Sequence, residues 1–113
     1  MHELSIATEI ISIAEQSARQ ARCQKINEME LEIGTISGIE VEALETALSI
    51  VSRGTMLEKA KIVIHRIQGK ARCEECGHEF ALDMPFMPCP LCQSVHVVIL
   101  QGKESHIKTL KAE

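Results

Sequence analysis

The sequence predicts an α+β fold: two helices packed on a small three-stranded sheet, with a four-cysteine segment inserted between the last two strands. Three observations predict it. Apolar residues recur at helical spacing in two stretches, and they alternate or run together in three strand-like stretches. Residues 70–95 break both patterns and hold all three prolines, both phenylalanines and four of the five cysteines.

The first helix is expected over about residues 4–23, where Leu4, Ala7, Ile11, Ala14, Ala18 and Ala21 recur at steps of three and four while Glu9, Gln16, Arg19 and Arg22 fall elsewhere. Its alanine-rich inner face suits close packing on a sheet. NEMELEIG then alternates strictly: Met29, Leu31 and Ile33 share one face and Glu28, Glu30 and Glu32 the other, as in a half-buried strand with a wet acidic side. Ser37 and Glu40 stand at capping-box spacing ahead of Val41, Leu44, Leu48 and Val51, which predicts a second helix over about 38–52, closed near Gly54. AKIVIHRI is β-branched and ends at Gly69, a second strand. VHVVILQG is a nearly continuous apolar run of the kind central strands show, and reads as the third. The last eleven residues, KESHIKTLKAE, are polar and are expected to be loosely held.

With 113 residues, 45% hydrophobic and 25% charged, the chain can build one core with a small appendage. The absence of Trp and Tyr requires that core to be aliphatic. The net charge of −4 splits as −3 over residues 1–69, seven basic against ten acidic side chains, and −1 over residues 70–113, five against six. No basic face emerges, which weighs against nucleic acid as a partner. No stretch approaches the ~20 apolar residues of a membrane span, and MHELSIATEI carries no basic leader, so a cytoplasmic protein with no membrane partner is expected.

In such a reducing compartment, paired cysteines read as metal ligands before disulfides. Cys73 and Cys76 form one C-x2-C pair and Cys89 and Cys92 another, with twelve residues between. Each pair lets two thiolates of one turn reach the same ion, and two pairs complete a tetrahedron. Zn²⁺ in a closed structural site is the first reading; iron fits the same four sulfurs, and a thiol redox role is a weaker alternative. His78 and His96 follow the pairs and read as loop and strand-start residues or as substitute ligands. Cys23 has no partner at ligand spacing and reads as a small buried residue at the end of the first helix.

The second candidate metal position is the N-terminus. Met1 supplies an α-amine, His2 an imidazole and a backbone nitrogen, and Glu3 an amide, together a four-nitrogen plane of the kind Ni²⁺ and Cu²⁺ favour. Taken by itself, a histidine at position two reads as chance or as packing at a helix start before it reads as a metal ligand.

MHELSIATEI, GTMLEKAKIVI and the C-x2-C and C-P-x-C pairs together resemble the HypA/HybF family of nickel metallochaperones for [NiFe]-hydrogenase, over essentially the whole chain. The resemblance implies a non-enzymatic cytoplasmic carrier that works, as a monomer or a homodimer, with the GTPase HypB to load the hydrogenase large subunit. It implies His2 as nickel ligand with Met1 and Glu3 beside it, and Cys73, Cys76, Cys89 and Cys92 as zinc ligands. It further implies a nickel lobe of residues 1–69 and 96–113 and a zinc lobe of residues 70–95. The competing reading is a zinc-ribbon interaction module whose terminus binds nothing. No Ser/His/Asp grouping, phosphate loop or deaminase motif points to an enzyme, and Glu74-Glu75 between the ligands reads as a solvated pair.

Overall fold

The computed structural model describes residues 2–113, in the order α1 (Glu3–Gln20), β1 (Ile26–Gly34), α2 (Val41–Val51), β2 (Lys61–Ile67), β3 (Gly69–Cys73), β4 (Glu79–Leu82), β5 (Val97–Gln101) and β6 (Ser105–Ala112). The expected α+β class holds, with two helices and a three-stranded sheet in the order β2-β1-β6. A second three-stranded sheet, β4-β3-β5, has Cys73 at the end of β3, and Cys76, Cys89 and Cys92 lie in the segments between its strands. The chain divides into two compact units: one built from the segments up to Glu32, Ile39–His65 and His106–Glu113, the other from Ile33–Gly38 and Arg66–Ser105.

In the first unit, α1 buries Glu3, Ala7, Ile10, Ile11, Ala14 and Ala18. The stripe is rotated slightly from the expected one, so Leu4 is exposed and Ile10 takes its place. The helix also stops three residues short of expectation. Arg22 adopts a left-handed φ of 61°, Cys23 N–H donates to the Ala18 carbonyl and Arg22 N–H to that of Arg19, a Schellman closure made without glycine. Cys23 is therefore outside the helix and half-buried, its thiol 3.8 Å from the Ala21 carbonyl, rather than a core residue.

Met29, Leu31 and Ile33 of β1 are fully buried, as the alternation requires, and α2 adds Leu44, Ala47 and Leu48 to the buried set. Ile26 N–H bonds the Met56 carbonyl ahead of β2 and Thr35 N–H bonds Ile67 at its end, so β1 and β2 run in the same sense, across the crossover that α2 provides. Lys25 and Glu113 exchange both backbone hydrogen bonds, which makes β6 antiparallel to β1.

Two strand expectations are corrected. The apolar run ending at Gln101 is not the third strand of the first sheet: β5 pairs with β3 beside the cysteines. The third strand is β6, from the polar tail expected to be loose. Its side chains have partners in the acidic side of β1. Thr109 donates to Glu30 at 2.5 Å, His106 meets Glu32 at 2.7 Å and Lys111 lies 3.9 Å from Glu28, while His65 of β2 meets Glu30 at 2.7 Å. The expected wet acidic side is thus half-covered. Glu30 is held below its ordinary value of 4.5, first by the Thr109 hydroxyl and then by the His65 ring.

The second unit has a small core: Ile36, Ala71, Cys73, Phe80, Leu82 and Cys89, with Met87, Val97 and Ile99 against it. Three glycines let its backbones meet. A methyl group built on Gly34 would overlap the Gly102 carbonyl, and one on Gly102, where φ is +118°, would stand 2.5 Å from the Gly69 Cα.

Candidate metal centre

The segment around the cysteines is better ordered than its composition suggests, because β3 and β4 pair antiparallel, Ala71 opposite Phe80, and deliver Cys73 at a strand end. The two cysteine pairs then fold as repeats of one turn. Gly77 N–H donates to the Cys73 carbonyl at 3.0 Å and Cys73 N–H to the His78 carbonyl at 2.8 Å; Gln93 N–H donates to Cys89 at 2.7 Å and Cys89 N–H to Ser94 at 2.9 Å. The fourth position after each leading cysteine has a left-handed φ, +77° at Gly77 and +63° at Gln93. The common spacing of the pairs was visible in the sequence; the matching conformation of Gln93 was not, since a glutamine gives no sign of it.

These turns bring all four sulfurs within 4.8 Å of one another, Cys73 and Cys92 at 3.5 Å and Cys76 and Cys89 at 3.6 Å. No disulfide joins them. Four sulfurs each about 2.3 Å from one tetrahedral ion stand about 3.8 Å apart, so the cluster has the dimensions of a tetrahedral site. Cys73 and Cys89 are buried, and Cys76 and Cys92 are exposed. The Cys76 N–H at 3.4 Å holds the Cys73 thiol down to about 7. Cys92 is different. The Ser94 N–H favours its thiolate, yet the Cys73 sulfur beside it, burial, and the sulfurs of Cys76 and Cys89 together push it up to about 12. Four thiolates this close would repel one another, and a cation held among them would relieve that repulsion.

The histidines are engaged elsewhere. His78 stacks on Phe80 with ring centroids 6.0 Å apart, and His96 Nδ1 lies 3.1 Å from Glu75. Neither belongs to the sulfur cluster among the described residues. Glu74 and Glu75 are exposed, as expected, although Glu75 has His96 as partner.

At the other candidate position, Met1 lies outside the described residues. His2 is the N-cap of α1: its carbonyl accepts from Ile6 N–H at 2.9 Å and its side chain is exposed, with no capping bond of its own. Glu3 is buried at 6% exposure, and its Oε2 accepts the Glu40 N–H at 3.0 Å. This contact replaces the expected Ser37–Glu40 capping box. Helix α2 starts at Val41 with Glu40 as its N-cap and no side-chain cap, and the carboxylate that accepts the N–H of this N-cap residue comes from the head of α1. Sequence reasoning missed this role because the partners are 37 residues apart.

A cluster of four sulfurs with the dimensions of a tetrahedral site, set in an α+β chain, is the arrangement of a protein that could hold a metal ion. The chain belongs to the HypA family: the family model described as "Hydrogenase/urease nickel incorporation, metallochaperone, hypA" matches residues 1–112. The family is one of metallochaperones, not enzymes. The hydrogenase maturation factor HypA of Parabacteroides distasonis is 44% identical over 110 residues, covering 97% of this chain and 96% of its own. The factor of the same name from a Nostoc species is 41% identical over 113 residues, 100% of this chain and 96% of its own. In fold, the solution structure of the Ni metallochaperone HypA from Helicobacter pylori superposes with a TM-score of 0.71 at 24% identity, covering 99% of this chain and 97% of that one.

Proposed function

We propose that this chain carries Ni(II) for the maturation of [NiFe]-hydrogenase. Nickel is the cargo, held by the α-amine of Met1, the imidazole and backbone nitrogen of His2 and the amide of Glu3. Cys73, Cys76, Cys89 and Cys92 hold a structural Zn²⁺. The nickel role falls to the lobe of residues 1–69 and 96–113, the zinc role to residues 70–95. The GTPase HypB and the hydrogenase large subunit are the partners, and the cytoplasm is the site of action. Nothing in the composition asks for nucleic acid, and among the described residues no helix is long and apolar enough to cross a membrane.

The observation that carries this reading is the exposed imidazole of His2 beside the buried carboxylate of Glu3. The Glu3 contact with Glu40 N–H fixes the start of α1, while the imidazole remains open to an incoming ligand. Cargo at such a place is exchanged without opening the fold. Cysteine thiolates in a closed shell suit the opposite task, a metal that stays.

The test uses protein with its native start. His2→Ala should lose nickel binding and mature hydrogenase poorly in cells at limiting nickel, yet keep its zinc and its fold. An N-terminal tag should abolish the same site, and acid should release nickel first, because nitrogen ligands must shed their protons to bind. Normal maturation by His2→Ala at limiting nickel would refute the delivery role.

A further inference from the structure

The two sheets have four edge strands, and three of them are guarded. β2 carries Lys61, His65 and Arg66; β6 carries His106, Lys108 and Lys111; β4 carries Glu79 and runs into Asp83. Charges on an edge discourage another chain from pairing with it. β5, VVILQ, has neither a charge nor a proline, and it lies at the edge of its sheet with only β3 beside it.

Its backbone direction follows from the register. Glu74 N–H bonds the His96 carbonyl, and Arg72 faces Val98, so Val98 turns its backbone groups toward β3, and the alternation holds as far as Ile99, beyond which a bulge shifts the register by one residue. Val97 and Ile99 turn theirs outward. The Val97 N–H bends back to the Val95 carbonyl at 3.1 Å, which leaves the Val97 carbonyl and both backbone groups of Ile99 facing out. Val97 and Ile99 also line an apolar groove of 450 Å³, together with Val95, Phe86, Met87 and the two prolines that flank them. Phe86 is 90% exposed and Val95 76%.

We infer that the outer edge of β5, with its flanking groove, docks an extended, uncharged apolar segment of a partner protein as an added strand. The outward backbone groups of Ile99 call for a chain in extended form, which supplies matching donors and acceptors. The groove, lined without a single charged side chain, supplies side-chain selectivity and excludes a charged segment through the cost of its desolvation. A second copy of this chain fits less well. Two-fold pairing of β5 with itself joins five residues a side, a small patch beside the roughly 1,600 Å² of a standard stable interface.

The test uses the full, zinc-loaded protein and a blocked peptide of alternating valine and threonine, followed by NMR. Binding should shift the Ile99 amide and the Phe86 ring and slow exchange of the Ile99 amide. A peptide N-methylated at alternate residues should bind about tenfold more weakly, because it cannot complete the ladder. A glutamate-for-threonine peptide should also bind more weakly, and Phe86→Ser, at an exposed position, should weaken the parent peptide while the protein stays folded. Equal binding of the methylated peptide, or shifts away from Ile99 and Phe86, would overturn strand addition. So would sedimentation of the free protein as a dimer that Phe86→Ser dissociates and the peptide cannot, since the occupant would then be a second copy.

Discussion

The two compact units are held together by different means. The first has a core of fully buried aliphatic side chains, Ile26, Met29, Leu31, Leu44, Leu48 and Leu57 among them, drawn from helices and strands with clear periodicity. The second has six buried core residues, and two of those six, Cys73 and Cys89, are also candidate metal ligands. One unit is stable because of what it keeps from water. The other is too small for that alone, as domains with meagre cores generally are; its backbones are brought close by glycine, and the proposed zinc would supply the rest.

Metal removal should break the comparison open most widely. Structural zinc sites contribute on the order of 10 kcal/mol to small modules, so chelation should erase amide protection at Ala71 and Phe80 while leaving that of Met29 and Leu31. Cys89→Ser should act in the same way. Equal protection with and without chelator, measured by hydrogen exchange, would mean that the second unit stands without its metal.

The next largest effect should come from Gly34→Ala. The added methyl overlaps the Gly102 carbonyl, a backbone atom that no rotamer change can move aside. A cost of about 3 kcal/mol is expected, at the upper end for overpacking, read as a fall in the urea midpoint at unchanged slope. A loss below about 0.5 kcal/mol, the scatter of ordinary surface changes, would show that the glycine contact is not what ties these backbones together.

A smaller effect, confined to the first unit, should follow from Glu30→Gln. Thr109 and His65 hold the Glu30 carboxyl below 4.5, so the folded chain binds this proton less readily than the unfolded one. The stabilisation is therefore complete above pH 4.5 and is lost as pH falls through the lower folded-state value. Wild type should lose stability in that acid window more steeply than Glu30→Gln. Identical pH slopes for the two in urea titrations would remove Glu30 from the account.

The same division explains what could be read in the sequence. Met29, Leu31 and Ile33, Leu44 and Leu48, and the C-x2-C pairs were all legible, because periodicity and ligand spacing are local signals. β6 was not: its fitness as a strand lies in partners such as Glu30, 79 residues away, rather than in apolar alternation. β5 was read as a central strand from its unbroken apolar run, a signal that does not separate a buried centre from an unguarded edge. The end of α1 and the second cysteine turn were obscured by Arg22 and Gln93, which take a conformation usually marked by glycine. Glu3 was seen only as a neighbour of the proposed nickel ligand His2, and its hold on the Glu40 N–H depends on tertiary placement alone.

The smallest predicted effect tests whether the two cysteine turns are true equivalents. Gly77 and Gln93 fill the same place with φ of +77° and +63°, and a Cβ at position 77 would meet nothing within 4 Å, so the difference between them is purely one of backbone preference. The left-handed conformation costs a residue with a side chain roughly 1–2 kcal/mol, and glycine gives back about 0.5–1 kcal/mol through its freer unfolded chain. Gln93→Gly should therefore stabilise the metal-loaded protein by about 0.5 kcal/mol, and Gly77→Gln should destabilise it by a similar amount. The double exchange should return close to wild type, since each turn simply takes the other's residue. Urea midpoints of the three variants measure this directly. If Gln93→Gly destabilises, the glutamine side chain has a role at the second turn that glycine lacks at the first, and the two halves of the metal centre are not interchangeable.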